Sequence, residues 1–276
     1  MKRHFLFFLL TIGSFTQAVA QQYEYGPEVP VKRGMDTELR KMRFGVFFAP
    51  NVSWMKPTAN KSDDRLYTVS SEGSKGGYSW GLMMDYYFAE NYGIATGFQL
   101  NSTGGKILAT QNLQVTQPSG AGVVRSAYFD YRTQFLEIPF NLKLRSDAVG
   151  KSGVRFFGQI GLSLGFNISK KASYEVTYSD TSNASPTGFA DKTVSGENEK
   201  LQGGLSISPV MLGMNLGAGV EYPITPKMSI YGGVFFNNGF VPDATNPREI
   251  KMDYKGKFSD GNTRLNNIAF RIGLFF

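Results

Sequence analysis

The chain has 276 residues with 29 Lys or Arg, 22 Asp or Glu, one His and no Cys, for a formal net charge of +7 at pH 7. The missing cysteines exclude a disulfide scaffold, thiolate zinc sites and thiol catalysis, and the scattered bases form no run of the kind that binds nucleic acid. Aromatics reach 14% and Gly 32 residues, yet mean hydropathy is slightly negative. Entry into a membrane would therefore have to use alternate positions of strands, which a hydropathy window averages away.

Residues 1–20 read as a secretory signal: "MKRH" is the basic start, "FLFFLLTIGSF" the apolar run and "AVA" the small residues before a cut between Ala20 and Gln21. The apolar run is too short for a membrane helix, which needs about 20 such residues. The rest of the lead-in, residues 21–41, is rich in Pro and charge without a period, and is expected to lie in the periplasm. The barrel domain is assigned to residues 42–276.

From Met42 onward the chain alternates eight times. The first run sets Met42, Phe44, Val46 and Phe48 against Arg43, Gly45, Phe47 and Ala49. The second, Tyr78–Ala89, sets Trp80, Leu82, Met84 and Tyr86 against Gly81, Met83, Asp85 and Tyr87, and the third opposes Ile94 and Phe98 to Gly97 and Gln99. In the fourth, Leu136, Ile138, Phe140 and Leu142 oppose Glu137, Asn141, Lys143 and Arg145. The fifth, Val154–Ile168, is the most regular, with Phe156, Ile160, Leu162 and Leu164 against Arg155, Gln159, Gly161 and Ser163. The sixth sets Leu212, Leu216 and Val220 against Asn215, Gly217 and Glu221, and the seventh Ile230 and Val234 against Tyr231 and Phe235. The terminal run sets Ile268, Phe270, Ile272, Leu274 and Phe276 against Ala269, Arg271, Gly273 and Phe275.

The links between runs alternate in length. Those after the second, fourth and sixth are tight, while those near 55–77, 102–126, 169–208 and 241–262 are long. A barrel crossing an asymmetric membrane places short turns in the periplasm and long loops outside. A soluble eight-stranded calyx would instead turn its greasy face inward. Here the mixed face carries Gly, Ser, Asn and charge, which suits a crowded lumen, and the uniform face suits lipid. The predicted fold is thus all-β: an eight-stranded antiparallel up-and-down transmembrane barrel with four long external loops. Aromatics agree as two bands, with Tyr86, Phe88, Tyr92 and Tyr222 near the tight turns and Trp54, Trp80 and Phe240 near the long links. Within the longest link, "SYEVTYSD" alternates and is expected to carry the fifth strand beyond the lipid.

"RTQFLEIPFNLKLRS", preceded by "YFAENYGIATGFQLNSTGG", resembles the PorT-like, porin-family outer-membrane β-barrels over residues 42–276. In that family "EIP" followed by alternating apolar residues marks the fourth strand, matching Glu137, Ile138 and Pro139 here. The resemblance implies a bacterial outer-membrane location. Some members are accessory parts of type IX secretion, so it also implies a secretion-accessory role as a second possibility. The alternating set Ile268, Phe270, Ile272, Leu274 and Phe276 is similar to the terminal signal read by the outer-membrane assembly machinery.

Chemistry is sparse. His4, the sole histidine, leaves with the signal, which removes imidazole catalysis and His-ligated metals. "GMNLGAGVE" lacks the spacing and strand–helix setting of a dinucleotide loop, and no cofactor is expected. Arg43, Asp85, Glu137, Lys143, Arg155, Glu221 and Arg271 all fall on the inward face and are expected to form a paired lumen charge network. Arg43 should meet Asp85, and Arg155 should meet Glu221. Two of the carboxylates doing glycosidase-like work is the enzymatic alternative. Asp63, Asp64, Glu197 and Glu199 lack an EF-hand pattern and read as solvated loop charge. A diffusion pore is disfavoured because eight strands enclose only side-chain-filled space. The expected partners are outer-membrane lipid, the assembly machinery, and a protein at the loops or periplasmic rim.

Overall fold

The computed structural model describes residues 41–57, 67–111, 124–185, 188–200, 209–240 and 263–276. The predicted signal, the lead-in up to residue 40, loop residues Asp63 and Asp64, and the link 241–262 lie outside these residues. Among the described residues there are nine strands: β1 Met42–Pro57, β2 Tyr67–Tyr87, β3 Tyr92–Gln111, β4 Val124–Arg145, β5 Arg155–Ser185, β6 Gly188–Lys200, β7 Val210–Pro223, β8 Ser229–Gly239 and β9 Thr263–Phe275. They form one antiparallel sheet in the order β4-β3-β2-β1-β9-β8-β7-β5-β6, and a β4–β5 pairing closes it.

The closed ring has eight strands because β5 has two partners on one edge. Its lower half, Arg155–Phe166, pairs with β7, while its upper half pairs with β6. β6 is therefore a hairpin arm on the upper part of β5 rather than an extra stave.

Closure places the greasy faces in one belt. Val46 pairs with Leu82 and Leu82 with Phe98; Leu142 pairs with Ile94 and Ile160, and Leu216 with Ile160 and Phe236. Leu82, Phe98 and Phe140 are 60%, 58% and 62% exposed. A continuous apolar surface of this kind is not stable against water, and hydrocarbon is the solvent it fits. The β4–β5 turn is made by left-handed Gly150 and Gly153, both at φ 68°. The β7–β8 turn is held by Thr225 Oγ1, which accepts from the amides of Lys227 and Met228.

The long links are shorter than the sequence implies. Strand structure continues to Pro57 and resumes at Tyr67, continues to Gln111 and resumes at Val124, and fills most of 169–200. The expected extension through "SYEVTYSD" is part of β5. Above the belt the polarity of the wall inverts: Met55, Val69, Ile107, Ala109, Ala127, Phe129, Tyr131 and Val176 point inward into one buried cluster. There the outer solvent is water, so apolar residues belong inside. On β4 the apolar parity switches at the adjacent pair Phe135 and Leu136, the first buried and the second exposed. On β5 an extra residue between Asn167 and Ser169, opposite Phe135 and Gln134, shifts the register at the same level.

Candidate functional site: the layered lumen

The inward face is built in layers, legible along β1 alone as Arg43, Phe47, Asn51 and Met55 from the short-turn end upward, all buried. Each element contributes through its alternate positions, so the layer a side chain joins is set by its register.

The lowest layer is a closed ring of two cations and two carboxylates. Arg43 Nη2 donates to Asp85 at 3.0 Å and to Glu221 at 3.0 Å. Lys143 Nζ donates to Asp85 Oδ2 at 2.7 Å and to Glu221 Oε1 at 2.6 Å. Four strands converge here, and the charges balance. Burial of each ion alone would cost several kcal/mol, so an alternating ring is the arrangement that makes it tolerable. Tyr87 accepts from Arg43 at 3.0 Å through its hydroxyl, and its ring carries the Arg145 guanidinium 3.9 Å from the centroid. The Arg145 Nε and Nη2 groups donate to the Glu90 carbonyl, tying this layer to the β2–β3 turn.

The second layer is aromatic: Phe47, Met83, Phe157, Tyr231, Phe235 and Phe275 form one buried cluster. Its rings stand over glycines on the paired strand. Phe157 faces Gly219, Phe235 faces Gly217, and Tyr231 faces Gly273, each as register partners. A Cβ on Gly217 or Gly273 would run into the ring opposite it. Small residues in the lumen are therefore the seats of large ones, which fills the bore without straining the wall.

Arg271 joins the aromatic layer to a third, amide-rich one. Its guanidinium lies 4.0 Å from the Phe47 centroid and 4.3 Å from that of Phe235, and Nη2 donates to Gln99 Oε1 at 3.0 Å. The Gln99 amide in turn donates to Glu137, as does Asn101 Nδ2 at 2.8 Å. A cavity of about 20 Å³ lies among Asp85, Lys143, Phe157, Tyr231 and Arg271, room for about one water.

The seven inward charges thus do not form one network. Arg43, Asp85, Lys143 and Glu221 close the lower ring, Glu137 and Arg271 communicate through Gln99 one level up, and Arg155 belongs to neither. The expected Arg155–Glu221 contact is not made, although the two are register partners. Arg155 is half-buried at the rim and its Nη1 donates to the Ser146 carbonyl at 3.4 Å, because Glu221 is already held by two cations nearer the barrel axis. Gln99, Asn101 and Tyr87 escaped the sequence reading, which weighed only full charges; their inward parity was the available signal. Ile268, Phe270 and Ile272 face outward on β9 with Leu274 after them, beside β1, and Phe276, exposed just past the strand end, donates its amide to the Phe44 carbonyl at 2.8 Å.

Asp85, Glu137 and Glu221 are each 2% exposed, and every one is held by cations or amides. A carboxylate that hydrolyses a sugar must reach a bound substrate and water; these three act as anchors for the cations and amides around them. Glu197 and Glu199 stand on β6, where Glu199 accepts from the Tyr174 hydroxyl at 3.2 Å. Among the described residues no group of three or more acids or histidines is placed to hold a metal ion.

A family model described as "Outer membrane protein beta-barrel domain" matches residues 20–237. Among solved structures, Neisserial surface protein A shares 15% identity over 84% of this chain and 97% of that one, with a TM-score of 0.35. OprG from Pseudomonas aeruginosa shares 13% over 85% and 92%, with a TM-score of 0.36. Ail of Yersinia pestis shares 11% over 85% and 97%, at 0.29. No curated protein matches the chain.

Proposed function

The chain belongs to the outer membrane protein beta-barrel domain family, and from that premise we propose that it is a non-enzymatic surface-interaction barrel working through its external face. Its place is the bacterial outer membrane. The observation that carries this reading is the division of the molecule into a sealed bore and a built superstructure. Charge, aromatic and amide layers occlude the lumen, while strands β1–β6 continue beyond the lipid belt around a buried core of their own. A wall extended and packed in this way presents a rigid surface to the outside. Among the described residues β6 pairs with β5 alone, so its second edge offers unpaired backbone donors and acceptors of the kind an extended partner segment can add to.

The purified barrel in planar bilayers should show no sustained conductance, and a photo-crosslinker at exposed Lys192 on β6 should capture a neighbour in intact cells. Steady ohmic steps would replace this reading with a pore. Capture from the periplasmic rim at Asp147 but not from β6 would favour the secretion-accessory role instead. The outward row ending in Phe276 is, on the same reading, the address for the assembly machinery.

A further inference from the structure

Just above the lipid belt, the outer wall carries a groove of about 550 Å³ between β2, β3, β4 and β5, with Asn198 of β6 at its edge. Its floor is set by register: Ser102 pairs with Gln134 and Gln134 with Ser169, directly above the outward-facing Leu100, Leu136 and Phe166 of the belt. One pair higher, Arg132 faces Lys171, and Lys171 faces Lys200. Three cations stand side by side on one face of the sheet, where like charges directly opposite are destabilising. Arg132 and Lys171 line the groove and neither has an ion-pair partner among the described residues, whereas Lys75 at the far side is held by Asp130. Among the described residues no carboxylate lines the groove.

We propose that this groove seats the phosphorylated head group of an outer-leaflet lipid. Arg132 and Lys171 hold the phosphate, Ser102, Gln134 and Asn198 supply hydrogen bonds to the head group, and the acyl chains descend along Leu100, Leu136 and Phe166. The charge row is then relieved by the ligand, since guanidinium and ammonium groups recognise phosphate through charge-assisted hydrogen bonds. A lipid is favoured over a free anion because the groove opens on the membrane-facing wall at the height where the apolar surface ends.

The test uses the full-length barrel in detergent, titrated with lipid A, with its chemically dephosphorylated form, and with inorganic phosphate, and read by native mass spectrometry. The R132Q/K171Q variant replaces two outer-wall side chains, and its folding is checked by heat-modifiable gel migration. Lipid A should bind the wild type about tenfold or more tighter than the variant, with the dephosphorylated lipid as weak as the variant and millimolar phosphate failing to compete. Equal binding of lipid A by the folded variant overturns the proposal, as does equal binding of the dephosphorylated lipid, which would mean adhesion to the belt alone. Competition by millimolar phosphate would also overturn it, assigning the groove to a soluble anion.

Discussion

The Tyr231 ring occupies the space in which a Cβ on its register partner Gly273 would stand. The same relation holds for Phe235 over Gly217, so the aromatic layer depends on the strand opposite having no side chain. Gly217 and Gly273 are a negative mould of the rings opposite them.

Gly273→Val should therefore destabilise the barrel by about 1–3 kcal/mol, the usual consequence of overpacking a filled core. Pairing it with Tyr231→Ala should recover part of that loss, since the two changes share one space. Thermal unfolding in detergent of the single and double variants measures the coupling; strict additivity would show that the ring and the glycine are independent.

Lys143 holds two carboxylates at once. Lys143→Met should leave the ring with excess negative charge and cost about 3–5 kcal/mol. Adding Asp85→Asn restores the balance and should return a large share of that stability. Urea unfolding of the refolded barrel reads both values, and a loss below about 1 kcal/mol would place these groups in contact with water.

Glu137 accepts from two amides. Glu137→Gln keeps the shape but turns part of the acceptor into a donor facing donors, for a loss of about 1–3 kcal/mol. Gln99→Leu on that background should add a further loss, because it also removes the acceptor of the Arg271 guanidinium. Equilibrium unfolding of the two variants distinguishes this outcome from simple loss of volume.

Ile160 is 49% exposed, with Leu142 and Leu216 on either side. In water an arginine there would be nearly neutral, but against hydrocarbon near the midplane Ile160→Arg should cost about 2–4 kcal/mol. Folding titrations into phosphatidylcholine vesicles measure it directly. An unchanged stability would remove lipid from this face.

How much of this was legible beforehand differs by level. Parity along each strand was readable from the residues, because successive side chains point to opposite faces whatever the rest of the chain does. It placed Phe140 outside and Glu137 inside, and the alternation of link lengths placed the tight turns at one end. "SYEVTYSD" likewise announced the upper reach of β5.

Three features were decided only by closure of the ring. The first is who pairs with whom across the lumen: Glu221 has Arg155 beside it in register but Arg43 and Lys143 at its carboxylate, because cross-bore distances depend on how strands from distant parts of the chain converge. The second is the inverted upper wall, where Phe135 and Leu136 read locally as a broken pattern and mark the level at which lipid gives way to water. The third is β6, whose pairing exists only because β5 outgrows β7. Sequence fixes the side of the sheet a residue takes, since that is a local stereochemical alternation. The neighbours it meets, and the solvent outside it, are properties of the assembled cylinder in its membrane.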